Sequence, residues 1–176
     1  YNYFLAVTFP HDQVKIMGYN RAVKDLNGLP PEEFLSRVEA LAEIEDAPAD
    51  HLPRRKGEAS IYLDGKWRLL RWKDEAVPHD DTVGSLDVSV LQDQVLNPLL
   101  GIEDPRTDKR INFVGGIRGT QELERLVDSG DYVVAFALYP TALEDLMTIS
   151  DEGGLMPPKS TWFEPKLRDA MAVHLI

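Results

Sequence analysis

None of the 176 residues is cysteine. That absence excludes disulfide staples, thiolate zinc sites and cysteine nucleophiles together, and leaves packing to supply the stability. Long apolar runs are missing too: no stretch approaches the roughly 18 residues that span a bilayer, and no basic segment followed by an apolar one reads as a signal peptide. The expectation is a soluble, cytoplasmic protein with no membrane partner. Positive charge is scarce. The 19 Lys and Arg face 30 Asp and Glu, and the net charge of -11 sets up a field that repels phosphodiester backbones. Apart from Arg54-Arg55-Lys56 and the C-terminal tail the cations are scattered, so nucleic acid is not an expected partner.

What is present is the composition of a folded protein: 43% hydrophobic residues are too many for a disordered tail. A single core suffices at this length, and one α+β domain over 1–176 is expected. The chain opens on Tyr1 and reads at once as a strand, so it is expected to be the C-terminal part of a longer protein whose N-terminal half is its first partner.

Tyr1 to Phe9 alternates β-formers on both faces, which suits a central strand, and Pro10 to Gln13 turns it into a second strand over Val14 to Met17. Pro30-Pro31-Glu32-Glu33 sets prolines and acids at a helix start, followed by an apolar stripe of Phe34, Leu35, Val38, Leu41 and Ala42. Glu45 to Arg55, charged and broken by Pro48 and Pro53, predicts an exposed, mobile loop. The Asp64-Gly65 pair between Ile61-Tyr62-Leu63 and Trp67 to Leu70 predicts a hairpin with a type I′ turn. Ser85 is placed to cap a helix carrying Val88, Leu91 and Val95, which Pro98 and Gly101 end. From residue 111 the pattern is strand (Ile111 to Val114), helix (Thr120 to Val127), strand (Tyr132 to Tyr139), helix (Thr141 to Ile149). Thr141 to Glu144 fits a capping box, and Ser129-Gly130 and Gly153-Gly154 fit helix stops. The tail from Met156 to Ile176 reads as extended. The predicted fold class is α+β, a mixed or mainly antiparallel sheet with hairpins, packed by about four helices.

Chemistry concentrates in Met156 to Arg168. Lys159, Lys166 and Arg168, with the hydroxyls of Ser160 and Thr161, form a cationic stretch in an acidic protein, and prolines on both sides hold it extended. These side chains suit a phosphate or carboxylate bound by charge-assisted hydrogen bonds. The alternative is an edge strand with Trp162 and Phe163 as core contacts and the cations as solvated surface groups. Gly115 to Thr120 lies between a strand and a helix, where open backbone N–H groups and Arg118 favour an anion; tight-turn geometry explains the glycines equally. The segment has neither a P-loop ending nor the spacing of a dinucleotide fingerprint. Asp104 to Arg110 reads as a salt-bridged turn. His11-Asp12 and His79-Asp80-Asp81 read as loops, because adjacent residues seldom point at one ion, so no metal site is expected. Neither Ser160 nor Thr161 has a histidine arrangement that marks an activated nucleophile.

Tyr1 to Val7, Tyr19-Asn20-Arg21-Ala22-Val23-Lys24-Asp25-Leu26-Asn27-Gly28, Leu86 to Gln92, Asn112 to Gly116 and Met156 to Arg168 together resemble the bacterial and archaeal family called domain of unknown function 1015. Members of that family are similar, through an upstream Asp-Gly-His-His-Arg signature, to partition-protein-like folds and free-serine kinases. The signature does not occur in this sequence. The resemblance implies that the upstream half holds a nucleotide, ATP or ADP, and that this half covers or completes the site. The expected function is the C-terminal part of a nucleotide-dependent, small-molecule kinase-like phosphotransferase, supplying an anion cluster from Arg118 and from Lys159 to Arg168. The alternative is a non-catalytic interaction or scaffold domain packed against the N-terminal half, with Trp162 and Phe163 as anchors.

Overall fold

The computed structural model describes residues 13–166, together with Ala6, Thr8 and Pro10. Most of the expected first strand, with His11-Asp12 and Arg168, lies outside the described residues; within it Ala6 and Thr8 carry no strand and are exposed. The elements in chain order are β1 (Lys15–Met17), β2 (Tyr19–Val23), α1 (Pro31–Leu41), β3 (Ala42–Asp46), β4 (Glu58–Leu63), β5 (Lys66–Trp72), α2 (Asp87–Leu91), β6 (Ile111–Gly115), α3 (Gly119–Asp128), β7 (Val134–Leu138), α4 (Leu143–Asp151) and β8 (Trp162–Glu164). Six strands form one sheet in the order β3-β5-β4-β7-β2-β6, and β1 and β8 pair separately. Every neighbouring pair is antiparallel, so the α+β expectation with a mainly antiparallel sheet holds.

The unit from β6 to β7 is a crossover through α3. Both strands run antiparallel to β2, which lies between them, so β6 and β7 are parallel and the intervening space is filled by a strand from much earlier in the chain. Alternation then divides each strand between two faces. Val23, Ile61, Leu63, Leu70, Val134 and Phe136 meet Phe34 and Val38 of α1, Leu91 of α2 and Ile149 of α4 on one face. Ala22, Tyr62, Trp67, Ala135 and Ala137 meet Leu123 and Leu126 of α3 on the other. Burying side chains of this size contributes about 1.5–3 kcal/mol each, before conformational entropy is counted. Two polar bonds also pin α3 to the sheet: Tyr62 Oη donates to Asp128 at 2.9 Å and Trp67 Nε1 to Glu124 at 2.7 Å.

Local predictions held where turn chemistry is strict. Pro31 starts α1 with Glu32 and Glu33 in its first turn. Asp64 and Gly65 adopt φ 52° and 70° in the β4–β5 hairpin, and Gly130 and Gly153, at φ 81° and 71°, follow α3 and α4 as expected of helix stops.

Four expectations are corrected. Glu45–Arg55 is not a loose loop throughout: β3 follows α1 without a break and takes in Glu45 and Asp46. The rest is tied down by a buried Pro53, by Arg54 against Asp50 at 2.8 Å, and by His51 stacked on Trp67 at 5.3 Å. Ser85 does not cap the next helix; its hydroxyl donates to the Thr82 carbonyl, and the residue at the cap is Leu86. The Thr141–Glu144 capping box does not form either, because Thr141 Oγ1 donates to the Ser160 carbonyl at 3.0 Å and Ala142 holds the cap position. Finally, Val14–Met17 becomes β1 as predicted, but its partner among the described residues is β8.

Candidate anion site

The strand that sequence patterning missed carries the most unusual side chain. In β2, residues Tyr19, Arg21 and Val23 share one face, and Arg21 stands opposite Phe113 of β6 and Phe136 of β7. Its neighbours across the sheet are apolar, and it is 3% exposed. One guanidinium nitrogen donates to the Tyr19 carbonyl and the other to the Lys159 carbonyl at 3.0 Å. The guanidinium carbon lies 5.4 Å from the centroid of the Phe113 ring. Among the described residues no carboxylate pairs with it: none approaches within the 4.0 Å of an ion pair. Burial presses its pKa well below the usual arginine range, down to about 9, which leaves it charged at neutral pH. A buried charge without a counter-charge costs several kcal/mol, so proteins seldom keep one without use.

Arg21 faces a cavity of about 150 Å³, lined also by Ser89 and Gln92, Phe113, and the Pro157-Pro158 pair, with exposed Asp93 beside it. The space suits a phosphoryl-sized group, not a whole nucleotide. Ser89 and Gln92 already donate to the carbonyls of Val83 and Ile102, at 2.6 and 2.7 Å, so Arg21 supplies the wall's open charge.

The predicted cationic tail folds back over this point. Lys159 takes φ 57°, a left-handed conformation that costs a side chain with a Cβ about 1–2 kcal/mol; Arg21 holds its carbonyl. The Lys159 ammonium lies 5.6 Å from the Tyr19 ring centroid, Tyr19 meets Trp162 edge-on at 5.2 Å, and the Lys166 ammonium lies 4.2 Å above Trp162. The two lysines are thus arranged about one aromatic pair. Gly115 has no room for a side chain because a Cβ there would overlap the Trp162 ring. Ser160 is buried and gives its carbonyl to Thr141, and Thr161 is half-buried. Arg118 is exposed at the end of a 3₁₀ turn and lies 3.8 Å from Glu122 of α3; none of its ion pairs reaches the Lys159–Lys166 group. The Asp104–Arg110 segment is the salt-bridged turn expected, with Arg106 on Asp104 at 2.9 Å and Arg110 on Asp108 at 2.8 Å. Among the described residues no three His, Asp or Glu side chains gather as metal ligands.

Sequence reasoning named Lys159, Lys166 and Arg118 and passed over Arg21. The signal was available: a lone cation in an alternating Tyr-Asn-Arg-Ala-Val stretch, within a segment already singled out by family resemblance.

The family described as "Protein of unknown function (DUF1015)" matches residues 1–89 of the chain. The chain belongs to this family. The matched stretch takes in Tyr19 and Arg21 and stops well before Lys159. No curated protein matches the chain. Among solved structures, a free serine kinase in complex with AMP aligns at 16% identity with a TM-score of 0.51, covering 87% of this chain and 55% of that one. A mutant of a free serine kinase, also with AMP, gives 16% and 0.50 over the same shares. A conserved hypothetical protein from Pyrococcus furiosus aligns at 17% identity with a TM-score of 0.50, covering 86% of this chain and 56% of that one. These neighbours share the fold, and the chain spans a little over half of their length. No helix among the described residues is long and apolar enough to cross a membrane.

Proposed function

We propose that this DUF1015 chain is the C-terminal part of a nucleotide-dependent, small-molecule kinase-like phosphotransferase, to which it supplies an anion-binding cluster. One observation carries the reading: Arg21 is buried, charged and, among the described residues, without a carboxylate partner, and it faces a phosphoryl-sized cavity. Lys159, whose carbonyl Arg21 holds, carries a second cation over the Tyr19 ring. Lys166, over the Trp162 ring, adds a third to the same stretch, and Ser160 anchors that stretch through its carbonyl to Thr141; Arg168 lies outside the described residues, and Arg118, paired with Glu122, is kept only as a candidate for the whole protein. The likeness in fold to AMP-bound free serine kinases supports ATP or ADP as the nucleotide in the whole protein.

The test is calorimetry of the full-length protein with ATP and ADP, comparing wild type with Arg21→Met and Lys159→Ala. Charge-assisted bonds of this kind contribute about 1.5–3 kcal/mol, so Arg21→Met should weaken binding by about 10-fold to 100-fold and Lys159→Ala by less. Unchanged affinity in both variants would sink the assignment.

A second reading has its own observation. An apolar groove of about 680 Å³, lined by Val14, Ile16, Tyr139, Pro140, Leu143 and Phe163, suits a scaffold role in which the N-terminal half packs here. Deuterium exchange at these residues, protected in the full-length protein and open in the isolated chain, is the outcome that reading requires.

A further inference from the structure

Asp87 opens α2 and is 8% exposed. One of its oxygens, Oδ1, accepts the Gly57 backbone N–H at 2.9 Å; Oδ2 takes no hydrogen bond among the described residues. The Trp72 indole N–H is buried and makes no hydrogen bond of ordinary geometry among the described residues, yet it is directed at the Asp87 carboxylate closely enough to favour its charged form. A second cavity, of about 400 Å³, opens here, lined by Lys56, Gly57, Trp72, Val77, Ser85 and Asp87, with Asp74 and His79 at its edge.

The charges around it leave one sum unsettled. The Lys56 ammonium is bonded to Asp145 of α4 at 2.8 Å and acts on Asp87 only through space. His79 Nε2 meets Asp74 at 2.8 Å on an exposed edge. Asp87 remains as the buried negative charge facing the space, with a neighbouring aromatic wall in Trp72. A carboxylate oxygen with no hydrogen bond of ordinary geometry, on the wall of a cavity, has the chemistry of an ammonium receptor: it takes the N–H donors and holds the charge.

We propose that the Asp87–Trp72 cavity is a binding site for a small organic ammonium group. The site shares no residue with the Arg21 cavity and its test needs no nucleotide, so its failure and that of the kinase-like reading are separable. A free carboxylic acid does not bind the cation, so occupancy rises as Asp87 loses its proton. Burial pushes that step up to about 7, opposed by the Gly57 N–H and by Lys56 and reinforced by Asp145.

The experiment titrates the full-length protein with n-propylammonium chloride and follows the Trp72 indole N–H resonance, assigned by its loss in Trp72→Phe. Propanol and propionate serve as probes of the same size without the positive charge. The ammonium should shift the resonance saturably, propanol and propionate should not, and affinity should fall by about 10-fold per pH unit below pH 7. Asp87→Asn should abolish the shift while circular dichroism stays native. Equal binding of propanol, or an affinity flat across that pH range in wild type, overturns the proposal even where Asp87→Asn fails to fold.

Discussion

Replacing Asp87 by Asn should remove most of the pH dependence of stability between about pH 5 and pH 8. The carboxyl ionises at 3.8 in an ordinary environment and at about 7 in the fold, because burial outweighs its hydrogen bond from Gly57 and the charge of Lys56. A folded pKa raised above the unfolded value means the unfolded chain loses its proton first as pH rises. The stability linked to this group is therefore fully present below pH 3.8 and is lost as pH climbs through about 7. Integrating the two titrations from about pH 5 to pH 8 gives a loss of about 2–3 kcal/mol, and Asn, which does not ionise, should show none of it. Oδ1 of Asn keeps the acceptor for Gly57, while its amide placed near the Trp72 N–H lowers stability at every pH by a constant amount. Urea denaturation of both proteins at several pH values separates the two effects, since only the pH-dependent part belongs to the carboxyl. Parallel curves for wild type and variant would refute a raised pKa at this position and with it the idea that Asp87 is an unmatched buried charge.

The anion site makes two further predictions. Arg21→Met should leave urea stability unchanged or raise it by about 1–2 kcal/mol, because a buried charge without a counter-charge is commonly worse for folding than an apolar side chain of similar size; a fall of more than about 3 kcal/mol would mean that Arg21 is a structural brace whose charge has a partner. Asp93→Asn removes the negative charge beside the cavity, so inorganic phosphate should bind tighter by a few-fold in calorimetry at low salt, an advantage that shrinks as salt is added. If Asp93 instead balances Arg21, that substitution weakens folding and does not improve phosphate binding.

The parts of the fold that were legible in the sequence were those where a local rule leaves few choices. A proline at a helix start, an Asp-Gly hairpin turn and glycines after helices all constrain backbone dihedrals directly, and all formed where expected. What escaped was decided by tertiary pairing. In β2, Asn20 and Arg21 broke the apolar pattern, yet Asn20 is buried because its Oδ1 accepts the Leu138 N–H at 3.1 Å across the sheet. In β3, Glu45 and Asp46 looked like the start of a solvated loop, but the edge strand meets two arginines on β5, with Arg71 on Glu45 at 2.9 Å. Thr141 and Ser85 had the right composition for caps, but Thr141 gave its hydroxyl to the distant Ser160 carbonyl and Ser85 gave its own to the Thr82 carbonyl of the preceding turn. The cationic tail was visible because three like charges in an acidic chain need no geometry to notice. Its relation to Arg21 was invisible because 138 residues separate Arg21 from the Lys159 carbonyl it holds.

The two proposed sites meet on one short element. Asp87 at the start of α2 faces the larger cavity, while Ser89, Gln92 and Asp93, a turn further along, line the cavity of Arg21. After Leu91 the helix widens into a π-helical turn from Gln92 to Leu96, an arrangement common at functional sites because it shifts side chains away from the regular helical spacing. The cationic and anionic pockets therefore cannot move independently of this element, whose buried residues Val88, Val90, Leu91 and Val95 are fixed in the main core. A ligand that carried both an ammonium and a phosphoryl group would have to reach around α2, whereas two separate ligands would be held on its two flanks at a fixed spacing. Under the proposed phosphotransferase reading, holding two ligands at a fixed spacing would be this chain's contribution to their alignment.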